Sequence, residues 1–213
     1  MTSMDELSQI AQEVSACTRC QLHHSRKHAV PGEGPAKADM MFIGEGPGFH
    51  ENEQGRPFVG AAGKYLEELL ASIGMKRTDV FIANVVKCRP PGNRDPEPEE
   101  ILACSGYLDR QIQAIDPKVI VTLGRFSMAR YMPNAKISSV HGKAIRVNNR
   151  LVVAMYHPAA ALHQPSLKTT IEQDFSRLPD IIAQAAQSRQ AQAPEKVAPE
   201  RREEQEPKQL TLF

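Results

Sequence analysis

The sequence predicts a single α/β domain, a three-layer sandwich around a central, mostly parallel four-stranded sheet. Three observations predict it. Short apolar runs of strand length alternate with stretches whose apolar residues recur at helical spacing. The runs end in Gly, Asn or His, at 44–48, 84–88, 124 and 157, where the sites of such folds gather. From about residue 187 the composition turns to Gln, Ala, Pro and Glu, which sets a domain over 1–186 against a disordered tail over 187–213.

Residues 4–16 carry Met4, Leu7, Ile10, Ala11 and Val14 at helical spacing and deliver Cys17 at the helix end. "ADMMFIGE" (38–45) suits a buried strand. "AGKYLEELLASIG" (62–74) is a helix with Gly74 as its stop. "DVFIANVVK" (79–87) is β-rich, and 97–115 opens with Pro and acidic residues, as helices do. "KVIVTLG" (118–124) is a second buried strand, followed by the short helix "RFSMARYM". Residues 143–157 form a hairpin or strand pair around "NN", and 168–186 a closing helix.

A chain of 213 residues with net charge +1 has no global basic signal, so contact with nucleic acid must come from a local patch. "KCRPPGNR", with Lys87, Arg89 and Arg94, supplies one. No apolar run approaches membrane-spanning length. The polar, helical N-terminus is unlike a signal peptide, so the expected location is the cytoplasm. In that reducing compartment Cys17, Cys20, Cys88 and Cys104 read as metal ligands rather than disulfides. Four thiolates suit zinc or an iron–sulfur cluster, and spacing does not decide between them.

The first strand runs into "GEGPGFHENEQGRPFVG" (44–60), whose glycines let backbone pass close to a ligand. Neither a dinucleotide fingerprint nor a P-loop is present. Asn84 places an amide at a strand tip, able to donate and accept in one plane. His157 stands at the end of the last strand, which Pro158 stops.

Taken together, "GEGPG", "GRPFVG", "ANVVKCRPPGNRDP" and "HPAA", with the four cysteines, closely resemble the family 4 uracil-DNA glycosylases over roughly residues 5–185. The resemblance implies an α/β enzyme that flips uracil from DNA and hydrolyses its glycosidic bond. It also implies a [4Fe–4S] cluster on the four cysteines, with zinc as the alternative. Phe58 would stack on the base, and Asn84 would accept from N3–H and donate to O4. Glu51 would fill the space of a thymine methyl, and backbone N–H groups at Gly44, Glu45 and Gly46 would hold the O2 side. His157 would stabilise the leaving uracil anion. The better-known uracil glycosylases place an aspartate where this chain has Gly46, and Glu45 is the nearby carboxylate. Lys87, Arg89 and Arg94 would face DNA, while Leu162 and His163 fill the gap left in the stack. Two departures stand out: Phe49 and His50 where an acidic run is common, and His163 where many members carry arginine.

The polar tail ends in "QLTLF". Gln209, Leu210, Leu212 and Phe213 resemble the pentapeptide that docks into the bacterial sliding clamp. The expectation is thus a monomeric repair enzyme with uracil-containing DNA and the clamp as partners. A catalytically silent iron–sulfur nucleic-acid-binding module is the alternative, and intact Glu45, Phe58, Asn84 and His157 argue against it. An electron-transfer protein leaves the pocket motifs unexplained.

Overall fold

The computed structural model describes residues 2–192; the motif at 209–213 lies outside the described residues. The sheet has five strands, β1 (Met40–Gly44), β2 (Phe81–Asn84), β3 (Val119–Leu123), β4 (Ala144–Val147) and β5 (Arg150–Met155), in the order β2-β1-β3-β5-β4. The first four in that order run parallel, and β4 pairs antiparallel with β5 at the edge. The sequence predicts a four-stranded sheet, with 143–157 as a hairpin or strand pair. The fifth comes from the segment around Asn148, whose left-handed φ of 54° turns the chain tightly enough for both arms to join the sheet.

β1, β2 and β3 are buried along their full length, as parallel strands covered on both faces must be. Alternation sorts their side chains into two layers. Met40, Phe42, Val119 and Val121 face α3 (Ala61–Ser72), α8 (Lys168–Ser176) and α9 (Leu178–Gln192), through Leu66, Leu70, Phe175 and Leu178. Met41, Ile43 and Ile120 face α1 (Ser3–Ala16) and α4 (Pro98–Ile115), through Ile10, Val14, Leu108 and Ile112. The three layers predicted by the sequence are therefore present.

The expected closing helix over 168–186 is instead two helices, α8 and α9, with Pro179 in the first turn of the second. The second continues to Gln192, past the expected start of the tail, and Arg189 anchors it by bonding Asp116 and the Pro117 carbonyl. Three short helices, α2 (Phe49–Gln54), α6 (Ile137–Val140) and α7 (Pro158–His163), leave no periodic signal because each spans less than two turns, while α5 (Arg125–Ala129) falls within the expected helix "RFSMARYM". Among the described residues no helix is long and apolar enough to cross a membrane.

Candidate active site

The carboxyl ends of β1, β2 and β5 meet at one edge of the sheet, around a cleft of about 570 Å³. Glu45 and Gly46 follow β1, Asn84 ends β2, and His157 follows β5; all line the cleft with Glu51 and Phe58. Six of the seven residues expected at a uracil site thus share one cavity. Gly44, the seventh, does not line the cleft but packs behind Asn84 and Phe58. A Cβ there would lie 2.4 Å from Asn84 Oδ1 and 2.8 Å from the Phe58 ring, so only glycine lets amide and aromatic approach each other.

Asn84 is 1 % exposed, and its Oδ1 is buried with no hydrogen-bond partner among the described residues. An orphaned acceptor in a protein interior costs free energy and is rare. Phe58 holds a left-handed φ of 50°. That conformation is enforced from two sides. Arg77 donates to the carbonyls of Pro57 and Phe58, and the Glu51 carboxylate accepts from the N–H groups of Val59 and Gly60, both at 2.9 Å. Gly63 lets helix α3 press against this loop, since a Cβ there would fall 1.9 Å from the Phe58 carbonyl oxygen.

Glu51 also accepts from Gly48 N–H at 3.1 Å, which caps α2. Its carboxylate thus organises both loops of the pocket wall while lining the cleft. His157 Nδ1 accepts from Ala159 N–H at 3.1 Å, capping α7, and this fixes the ring proton on Nε2. Burial lowers the His157 pKa to about 4, so the ring is neutral at physiological pH. Its ring centroid lies 5.3 Å from that of Phe58, at an interplanar angle of 25°. Glu45 is half-buried, and burial, reinforced by the nearby Asp95, raises its pKa above the ordinary 4.5. Asp95, on the cleft wall and ion-paired to Arg125, lies inside "ANVVKCRPPGNRDP", but nothing in that motif marks it as a cleft residue. Arg77 lies outside every motif yet shapes the Phe58 loop.

The expected DNA-facing patch divides. Lys87 does not belong to it. Its side chain is 1 % exposed, and Nζ donates to the Asn84 carbonyl at 3.0 Å and to Gln111 Oε1 at 2.7 Å. A basic residue beside arginines reads as surface, but the chain leaving β2 turns this side chain inward; burial lowers its pKa to about 8. Arg94 lines the cleft with its charge already matched, since both of its terminal nitrogens bond the buried Glu100 carboxylate at 2.9 and 2.6 Å. Arg89 is partly exposed, bonded to Asn93 Oδ1 at 2.7 Å and stacked 5.3 Å over the ring of Phe49. Phe49 and Leu162 are among the exposed large hydrophobic residues, at 53 % and 50 %. They flank the cleft beside its lining residues Gly48 and His163.

Cys17, Cys20, Cys88 and Cys104 line one small cavity between α1 and α4. Cys88 and Cys104 are buried, the other two half-buried. Cys88 Sγ receives Arg26 Nη1 at 3.3 Å and Cys104 Sγ receives Lys87 N–H at 3.2 Å. Such donors suit thiolates, yet burial pushes the Cys104 thiol up to about 11, so only a bound cation would ionise it at neutral pH. No group of three or more His, Cys, Asp or Glu among the described residues is arranged to hold a metal ion. The four cysteines come together without forming a single-ion cage.

Known proteins resemble this chain over most of its length. The family model of the uracil DNA glycosylase superfamily matches residues 31–177. A type-4 uracil-DNA glycosylase of Sulfurisphaera tokodaii is 50 % identical over 188 residues, 84 % of this chain and 86 % of that protein. Proteins of the same name from Archaeoglobus fulgidus and Thermotoga maritima are 48 % and 42 % identical, over 84 % and 85 % of this chain and 94 % and 98 % of theirs. The chain belongs to the uracil DNA glycosylase superfamily, alongside its type-4 members.

Proposed function

We propose that this protein excises uracil from DNA by hydrolysing its N-glycosidic bond. One observation carries the reading: Asn84 Oδ1, buried and unpaired in the wall of the cleft. Uracil flipped from the stack offers N3–H to that oxygen and O4 to the amide nitrogen. Cytosine presents the opposite pattern and leaves the acceptor orphaned, which discriminates by about 10⁴-fold. Phe58 offers its ring to the base, and the His157 ring lies 5.3 Å from it, centroid to centroid.

Bond cleavage moves an electron pair from the C1′–N1 bond onto uracil. The Nε2–H of neutral His157 donates to the anion at O2, a stabilisation that requires no prior protonation. Glu45 accepts the proton of the attacking water as its oxygen bonds to C1′. Its raised pKa makes it a better base than an ordinary surface carboxylate. Glu45→Gln is expected to lower the rate by about 10²–10⁴-fold. Phe49, Arg89, Leu162 and His163 form the DNA-facing rim, with Leu162 as the side chain that replaces the flipped base.

The same reading gives the four cysteines a [4Fe–4S] cluster, which takes one thiolate per iron and does not need four sulfurs converging on one ion. When bound, the cluster joins α1 to the loop after β2 and to α4. The motif at Gln209, Leu210, Leu212 and Phe213 is a docking peptide for the sliding clamp. Replacing Leu212 and Phe213 by Ala should abolish clamp binding in a titration while leaving excision from short oligonucleotides unchanged. Alkali-induced scission of a single-uracil oligonucleotide after incubation with the protein tests the central activity. An iron-loaded, folded protein that produces no scission would rule it out.

A further inference from the structure

Lys87 stands between the two centres of this molecule. The residue lines the cysteine cavity, and its backbone N–H donates to Cys104 Sγ at 3.2 Å. Its ammonium bonds the carbonyl of Asn84 at 3.0 Å. The only other hydrogen bond of that ammonium among the described residues is to Gln111 Oε1, at 2.7 Å. Gln111 is itself buried and fixed by donating to the Pro31 carbonyl. No carboxylate among the described residues forms an ion pair with Lys87, although the side chain is 1 % exposed. A buried cation without an anion is strongly disfavoured.

The cavity itself points to the missing anion. Arg19, Arg26 and Lys87 line it with the four cysteines, and no carboxylate does. Arg26 donates to Cys88 Sγ and to the carbonyls of Cys17 and Ser15, and it too lacks a carboxylate partner among the described residues. Four thiolates around a doubly positive metal core leave about two negative charges. A cage of cations with neutral amide braces matches that charge.

We propose that Lys87 is the buried counter-ion of the cysteine-bound metal centre and, through the Asn84 carbonyl, the positioning residue that ties the uracil-reading amide to that centre. The inference rests on the reading of the four cysteines as metal ligands. With the centre loaded, the ammonium is held between thiolate charge and the end of β2. With the centre lost, the same charge is uncompensated and pulls toward water, taking the strand end with it.

The test uses the full-length, metal-loaded protein in two variants. Lys87→Met keeps length and removes the charge. Gln111→Glu leaves Lys87 and every cysteine in place and supplies a rival anion at an existing contact. Lys27→Met, at an exposed lysine paired with Glu53, is the control. Release of bound metal to a chelator should be faster in both variants than in the wild type and unchanged in the control. Because net charge tunes cluster potentials, the reduction potential should also become more negative in both. For uracil excision Lys87→Met should lower kcat/KM by about ten-fold or more, mainly through KM, as loss of an outer-shell partner does.

Wild-type metal release and potential in both variants would overturn the counter-ion role. Altered metal release with unchanged kcat/KM in Lys87→Met would overturn the link to Asn84. If Lys87→Met does not fold, Gln111→Glu decides the counter-ion role alone. A wild-type protein that holds no metal would overturn the inference together with the cysteine reading, while uracil excision by that same protein would leave the catalytic reading intact.

Discussion

Asn84 is held ready for a partner that the protein does not supply, and this sets stability against function at one atom. Asn84→Ala removes the buried unpaired acceptor. Excision should fall by at least about 10³-fold, given the discrimination that such a site provides. The melting temperature should move by only a few degrees, because relief of the orphaned oxygen offsets lost packing. Paired rate and melting measurements check both halves. Gly63→Ala should do the reverse damage. Its Cβ would meet the Phe58 carbonyl at 1.9 Å, so the backbone must shift, at a cost of about 1–3 kcal/mol in chemical denaturation, and the stacking ring moves with it. Asn84, Phe58 and His157 were legible in the sequence because each sits beside a strand end or a glycine-rich block. Lys87 reads as surface and Arg77 carries no signal for one reason: a charged residue in a loop looks solvated until the tertiary structure shows what it bonds.

At the scale of elements, α7 carries a pH signal. His157 caps it by accepting from Ala159 N–H, which requires a neutral ring. The pKa falls from 6.5 to about 4 on folding, so the unfolded chain binds a proton more readily than the native one. Stability contributed by this group is therefore full above 6.5 and declines as pH falls towards 4. His157→Gln should flatten that part of a stability–pH curve. Activity follows another group first. Glu45 must be ionised to accept a proton, and burial raises its pKa above 4.5, so the acid limb of kcat/KM should lie above 4.5 and vanish in a Glu45→Gln variant of low residual activity. The α1–α4 pair depends on two kinds of bracket. Arg110 of α4 bonds Glu6 and Glu13 of α1, and the cysteines close the other end. The arginine contacts are partly exposed and worth little each. Removal of metal, or Cys104→Ser, should therefore lower the melting temperature and expose the segment before β1 to protease earlier than the sheet.

Across the whole molecule, the sheet was the most legible feature, since buried parallel strands read as continuous apolar runs and β1 and β3 have no competing interpretation. The fifth strand was less so. β4 alternates between exposed and half-buried residues, and nothing in "KAIRVNN" says whether a hairpin arm joins a sheet or stands off it. Apart from α5, helices shorter than two turns leave no periodicity to detect. The charge distribution has the same lesson at larger scale. A net charge of +1 hides a cluster of cations around the cysteines and leaves Arg89 as the one arginine of a patch predicted to hold three basic groups that has no carboxylate partner among the described residues. Affinity for DNA should accordingly depend more on Phe49 and Leu162 than on salt-sensitive contacts; Phe49→Ala should weaken oligonucleotide binding with little change in its salt slope. The central claim is that the cleft reads and excises uracil. It is tested most directly by single-turnover excision from oligonucleotides that differ only in carrying uracil, cytosine or thymine at one position. The structure predicts rapid release of uracil, no release of cytosine or thymine, and loss of uracil release in Asn84→Ala. Equal treatment of the three bases, or full activity in Asn84→Ala, would contradict it.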